Sequence, residues 1–341
     1  MGGHRNIPFF VPHAGCPHRC VFCDQVRITG CAEELTAADE CGRLEALLEA
    51  SAENGAGRET QIAFFGGSFT AVGRERMRAL LETGFRYIAR GVVESIRIST
   101  RPDCIDREVL GLLRRYGVKD IELGIQSMAA PVLEACGRGC TPEDARRACA
   151  LILEYGFILT GQMMIGLPGA APEDEAATAA ALAALGCAAA RIYPTVVFEG
   201  TPLERMTRNG RYVPLTLEEA VARSAACFDI LERAGVRILK VGLHASEQLS
   251  AAPFGPAHPA LGELVEARVY TRRVLSIVRE HGLDCRGRQV TVGLPGRDLS
   301  KLTGHGGVER ELLHRALGAA AVRVCAAETK PFAPLLQITS T

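Results

Sequence analysis

The chain has 341 residues, and Lys plus Arg and Asp plus Glu both total 39, so no global basic excess marks a nucleic-acid or anionic-surface partner. Hydrophobic residues make up 48% and charged residues 23%, with no apolar run long enough for a membrane span, which leaves room for one large α/β unit plus something smaller. The start, Met1-Gly-Gly-His-Arg-Asn-Ile-Pro, lacks a basic and apolar leader, so a cytoplasmic chain with no membrane partner is expected. Thirteen cysteines in such a chain are an odd number of free thiols, most of them small buried residues rather than a disulfide framework.

Short β-branched or aromatic runs alternate with longer amphipathic ones from residue 7 onward, a pattern that predicts repeated β-loop-α units around a parallel sheet. Strands are expected at residues 7–12, 61–65, 95–99, 120–124, 159–165 and 190–195, with a seventh near 236–239. Thr36 with Asp39, Thr141 with Pro142 and Asp144, and Thr216 with Glu219 mark three helix starts, each pairing a capping hydroxyl with a first-turn carboxylate. Leu44, Leu47 and Leu48 give the first of these helices an apolar stripe. Units recurring at roughly 30 residues suit a β/α barrel, complete or open, whose chemistry sits at the C-terminal ends of the strands.

Residues 1–250 are therefore read as the barrel core, 251–281 as a Pro- and Gly-rich hinge followed by a helix at 261–280, and 282–341 as a small C-terminal unit. The last is mildly basic, with eight Lys or Arg against five Asp or Glu. It reads strand 288–294, helix from 298, the turn Gly304-His305-Gly306-Gly307, helix 308–317 and strand 321–326. That order resembles the KH module, whose Gly-x-x-Gly loop clamps a single-stranded nucleic-acid backbone. Gly304, His305, Gly306 and Gly307 are its candidate RNA contacts, with an ordinary helix-helix turn as the alternative.

The first strand runs into His13-Ala-Gly-Cys16-Pro-His18-Arg-Cys20-Val-Phe-Cys23. Three thiolates within eight residues suit one soft metal centre, either zinc completed by His13 or His18, or an iron-sulfur cluster with one open position. After the second strand, Gly66-Gly67-Ser68 removes side chains where a ligand could approach the backbone. Glu122 and Gln126 share the inward face of the fourth strand, and the Arg138 guanidinium suits bidentate carboxylate binding. Ser99 ends the third strand and Gln162 lies on the fifth, where Met163 and Met164 are expected to pack.

Cys-x3-Cys-x2-Cys with an aromatic residue before the last Cys resembles the radical S-adenosylmethionine (SAM) signature. The resemblance implies a partial (β/α)6-type TIM barrel in the α/β class, with a small KH-like βααβ extension at its C-terminus. It implies a [4Fe-4S] cluster on Cys16, Cys20 and Cys23 whose fourth iron binds SAM, and a reductant such as flavodoxin or ferredoxin. Gly66, Gly67 and Ser68 stand where the family's Gly-Gly-Glu motif receives the SAM amino group. Gln126 matches a ribose contact, Arg138 a carboxylate partner, and Ser99, Glu122 and Gln162 further cofactor positions. The ordered motifs Gly-Gly-Ser-Phe-Thr, Ser-Thr-Arg-Pro-Asp, Glu-Leu-Gly-Ile-Gln-Ser, Arg-Gly-Cys-Thr, Gly-Leu-Pro-Gly and Arg191-Ile-Tyr193-Pro194-Thr195 resemble the radical SAM portion of the Elongator catalytic subunit family.

That family implies modification of tRNA, and the roughly 60 residues beyond Glu280 are too few for its acetyltransferase domain, so a short form is expected. Tyr193 is the candidate substrate-facing residue, followed by Lys240, His244 and His258. Two alternatives stand: the same radical chemistry on a small molecule or tetrapyrrole, as in coproporphyrinogen dehydrogenase-like proteins, and a non-catalytic metal-stabilised RNA-binding protein.

Overall fold

The computed structural model describes residues 5–11, 16, 20–23, 36–53, 55, 59–244 and 246–339. Among them, seven strands form one sheet in sequence order: β1 Arg5–Val11, β2 Thr60–Gly66, β3 Ser95–Thr100, β4 Val118–Gln126, β5 Ile158–Ile165, β6 Ala189–Pro194 and β7 Arg237–Val241. Every neighbouring pair is parallel, and β1 does not pair with β7, so the barrel is open between its edge strands. The expected six-unit barrel thus gains its seventh strand at the segment where the sequence left one open.

Helices α1 Ala37–Glu53, α2 Arg74–Ala89, α3 Arg107–Arg115, α4 Ala130–Ala135, α5 Pro142–Glu154, α6 Pro172–Ala184, α7 Pro202–Arg208 and α8 Leu217–Arg233 connect the strands. The three sequence-marked starts behave as capping boxes: Thr36 and Asp39, Thr141 and Asp144, and Thr216 and Glu219 exchange side-chain and backbone hydrogen bonds. Leu44 and Leu48 are buried against the sheet, with Leu47 at the margin of the same core. Each strand supplies Ile, Val, Leu or Phe to that core, as in Ile62 and Phe64 of β2 or Ile96 and Ile98 of β3.

Beyond the barrel, α9 Glu247–Ser250 precedes a loop tied back by a Val197 N–H to Phe254 carbonyl bond of 3.0 Å, and α10 runs from Leu261 to Glu280 as the sequence predicts. The C-terminal unit contains β8 Gln289–Leu294, α11 Leu299–Thr303, α12 Val308–Leu317, β9 Ala321–Ala326 and β10 Leu335–Thr339. β8 pairs parallel with β9 and antiparallel with β10. The βααβ order expected from sequence is present, and β10 extends it to three strands. This unit has its own core, in which Tyr270 and Val274 of α10 pack with Val290, Val292, Leu302 and Leu313. Among the described residues no helix is long and apolar enough to cross a membrane.

Candidate active site

The open barrel encloses a cavity of about 820 Å³ at the C-terminal ends of its strands. Cys16, Cys20 and Cys23 line it, together with Gly66, Gly67, Ser68, Ser99, Glu122, Gln126, Arg138, Gln162 and Tyr193, so every barrel position singled out from the sequence meets in one space. Lys240 and His244 also line it. His258 does not line it: its Nδ1 accepts the Ala260 N–H at 3.1 Å and shapes the entry to α10. Met163 is fully buried in the core as expected, whereas Met164 faces the cavity.

The cysteine segment is held from two sides. Val21 N–H donates to the Cys136 carbonyl at the end of α4, and the Val21 carbonyl accepts the Leu203 N–H at the start of α7, both at 2.9 Å. Val21 and Phe22 pack into small apolar clusters with Val132, Leu167, Val197 and Leu203. Two guanidiniums then reach the thiols. Arg138 Nη1 lies 3.5 Å from Cys20 Sγ while its Nη2 donates to the Gly124 carbonyl. Arg101 Nη1 lies 3.4 Å from Cys16 Sγ, its other nitrogens donate to Asp103, and Nη2 also reaches the Arg138 carbonyl. Burial opposes the Arg101 charge, but Asp103 and the Cys16 sulfur outweigh it, so the guanidinium stays protonated. His13 and His18 lie outside the described residues; among those described, no three His, Cys, Asp or Glu side chains are grouped to hold a single metal ion.

Arg101 was missed by the sequence reading, although the motif Ser-Thr-Arg-Pro-Asp contained it. The usable signal was its position one residue past a strand whose C-terminal end faces the site. Arg191, quoted only within a motif, was missed in the same way. Its Nε stands 2.8 Å from Glu122 Oε2, out of line for a hydrogen bond, so the contact is an ion pair in which neither atom has a hydrogen-bond partner. Burial pushes the Glu122 carboxyl above its usual range, and the Arg191 and Arg97 charges oppose that rise. Tyr193 accepts an Arg191 Nη1 hydrogen at 3.2 Å; burial raises its phenol, which therefore remains a proton donor at neutral pH.

Backbone geometry sharpens the cavity wall. Gly66 has φ +115°, and a Cβ there would come 2.5 Å from the Val11 carbonyl oxygen, so only glycine lets β1 and the β2 turn approach this closely. Ser68 hydrogen-bonds Thr100 Oγ1 at 2.9 Å and accepts the Arg101 N–H, which ties the turn to β3. At the end of β4 the register with β5 slips between Gly124 and Gln126. Gln126 adopts φ +68°, buried, with its side-chain oxygen unpartnered. A glutamine held in the left-handed region costs about 1–3 kcal/mol and marks a functional constraint. The Gly166-Leu-Pro-Gly turn is instead a lock: Gly166 N–H donates to Glu175, its carbonyl accepts the Tyr212 hydroxyl, and Arg223 clamps Glu175.

The family model described as the Radical SAM superfamily matches residues 10–182, about half of the chain. The chain belongs to the radical SAM superfamily. A second model, the Radical_SAM C-terminal domain, matches residues 187–271 of this radical SAM protein. An uncharacterized protein of Methanocaldococcus jannaschii is 30% identical over 237 residues, covering 66% of this chain and 70% of that one. The tRNA uridine(34) acetyltransferase of the same organism is 32% identical over 127 residues, 36% of this chain and 24% of its own length. Human Elongator complex protein 3 is 30% identical over 198 residues, 56% of this chain and 33% of its own. The chain thus spans a quarter to a third of the length of these named relatives. Among solved structures, Methanocaldococcus infernus Elp3 with an N-terminal deletion superposes with a TM-score of 0.61 at 20% identity, covering 85% of this chain and 66% of that one, and shares the fold. The relatives are Elongator-like, as the order of the motifs implied.

Proposed function

We propose that this protein reductively cleaves SAM at a [4Fe-4S] cluster held by Cys16, Cys20 and Cys23, and directs the resulting radical at a nucleoside of RNA, tRNA first. The observation that carries this reading is the single cavity in which three thiols, two of them within reach of buried guanidiniums, face unpartnered polar atoms of Ser99, Gln126 and Arg138. Buried polar atoms without partners are costly, and their concentration around this space supports a polar ligand there. Three thiols lining one cavity are a donor set that suits a cluster in which each thiolate takes a separate iron.

When bound, the cluster and SAM supply an electron and a 5'-deoxyadenosyl radical that abstracts hydrogen. The chain's own residues position and protect. Arg101 and Arg138 offset the negative charge of the sulfurs, and Arg138 Nε remains free to donate toward a carboxylate. The Gln126 amide, Ser99 and Gln162 border the space where the nucleoside half of SAM would lie, and the Gly66-Gly67 turn opens backbone groups to its amino end. Phe10, Phe65 and Phe198 give the cavity apolar walls that exclude water. Tyr193 faces the remaining space, where a substrate would meet the radical. The RNA assignment is supported by the tRNA uridine(34) acetyltransferases among the relatives and by the β-α-Gly-x-x-Gly-α-β order of residues 282–341. In that order Gly306 and Gly307, both at positive φ, open a turn before α12. The cavity volume of about 820 Å³ lies within the range of small-molecule sites.

The test is isotope transfer. Bulk tRNA deuterated in its pyrimidines is incubated with reconstituted protein, SAM and dithionite, and the 5'-deoxyadenosine is weighed by mass spectrometry. Deuterium in that product supports the RNA reading. Product formed at an unchanged rate and without deuterium contradicts it.

A further inference from the structure

The cavity has a cationic side that the cofactor reading does not use. Strand registers place Gly124, Gln162, Arg191 and Lys240 in one lateral row across β4, β5, β6 and β7. Between β6 and β7 the register slips: Ala190 faces Ile238, but Arg191 faces Lys240, so an extra residue is accommodated at Leu239. Such irregularities at barrel rims re-aim side chains. Here it brings Lys240 beside Arg191 on the cavity wall. The charge of Arg191 is matched by Glu122 at 2.8 Å, the one acidic side chain among the described residues lining the cavity. Lys240 has no ion pair or hydrogen bond to any described residue. His244 lies close enough that burial, Lys240 and Arg191 all disfavour its protonated form. A partly enclosed wall whose ammonium is unmatched among the described residues favours an anion, because Coulomb attraction there is stronger than in bulk water.

We infer that Lys240, with Arg191 and His244 beside it, forms a subsite for a phosphate group of the substrate. The inference rests on the proposed RNA-directed radical chemistry for its choice of substrate. Phosphate is favoured over a carboxylate because the row offers a compact ammonium and single N–H donors rather than an unengaged planar fork. The subsite shares its cavity with the cysteines, and because SAM carries no phosphate, a phosphate held here is that of the substrate. Leu239 and Leu243 flank it and limit its solvation. An RNA chain or a free nucleotide would each supply the same group.

The experiment is calorimetric titration of the anaerobically reconstituted full chain, with SAM present, using uridine 5'-monophosphate and uridine as probes. The wild type is expected to bind the monophosphate about ten- to a hundredfold tighter than uridine, the worth of a charge-assisted hydrogen bond. Lys240→Gln should reduce that preference to a few-fold, Lys240→Arg should retain most of it, and raised salt should shrink it in the wild type. The last two readings keep the test decisive should Lys240→Gln fail to fold. Equal binding of both probes by the wild type, or a preference surviving in folded Lys240→Gln, overturns the subsite. A tri-uridylate competing at lower concentration than the monophosphate supports the subsite and assigns it to an RNA chain; a weaker competitor supports it as a free-nucleotide site. Formation of 5'-deoxyadenosine without any nucleotide reports separately on the radical chemistry, so the two ideas fail in different assays.

Discussion

Gln126→Gly should separate stability from SAM binding. In the folded chain Gln126 holds φ +68° with its side-chain oxygen buried and unpartnered. Relief of the left-handed strain is worth about 1–3 kcal/mol. Removing an unsatisfied buried amide oxygen adds about 1–3 kcal/mol. Against these stand about 0.5–1 kcal/mol for the greater freedom of unfolded glycine and the lost packing of the side chain over Gly124, whose position lies 3.0 Å from Gln126 Nε2 when a Cβ is built there. The balance predicts a variant at least as stable as the wild type and up to about 3 kcal/mol more stable by urea unfolding. SAM affinity, read by equilibrium binding to the reconstituted protein, should fall by about tenfold, the worth of one hydrogen bond to the ligand. A variant that is destabilised by more than 1 kcal/mol while binding SAM normally would refute the argument that Gln126 is strained for the ligand's sake.

Other expectations test separate parts of the account. Glu40 is fully buried and accepts two hydrogen bonds from Arg76 at 2.5 Å, so Arg76→Met should cost about 3–5 kcal/mol in denaturant unfolding, and adding Glu40→Gln should restore most of it. Burial, Lys240 and Arg191 lower the His244 pKa below 6.5, so its ring should titrate below that value by NMR and move upward in Lys240→Met. Because its folded pKa is depressed, its contribution is intact above pH 6.5 and is lost as pH falls through the folded value; His244→Gln should flatten that acid-side slope. Gly306 has open space where a Cβ would sit, and Asp tolerates its positive φ. Gly306→Asp should therefore weaken RNA retention in a gel-shift assay several-fold while 5'-deoxyadenosine formation without RNA is unchanged; equal retention would remove the turn from the RNA surface.

The barrel was legible because its information is local. Alternating strand and helix periods, three Thr-based capping boxes and glycine-rich βα turns each name their element without reference to the rest of the chain. The cysteine spacing and the glycine pair were legible for the same reason. What escaped detection depends on lateral neighbours. Arg101 reaches the Cys16 sulfur and the Arg138 carbonyl across 85 and 37 residues of sequence, and nothing in its own segment declares either partner. The pairing of Arg191 with Glu122 depends on the lateral registers of β4, β5 and β6, and the placement of Lys240 on the slip at β6-β7. β10 was missed because Leu335–Thr339 is short and becomes a strand only by antiparallel pairing with β8. His258 drew attention as a histidine in a loop, yet its ring serves its own backbone. The Gly166 turn shows how a motif adjoining the site can have a structural job, since Glu175, Tyr212 and Arg223 hold it from behind.

The most direct measurement is anaerobic reconstitution with iron and sulfide, reduction by dithionite in the presence of SAM, and quantification of 5'-deoxyadenosine in the wild type and in Cys20→Ala. The account predicts product from the wild type and none above background from the variant, with Arg138→Met reduced but not silent. A wild type that binds zinc in place of a cluster, or assembles a cluster that leaves SAM intact, would contradict it.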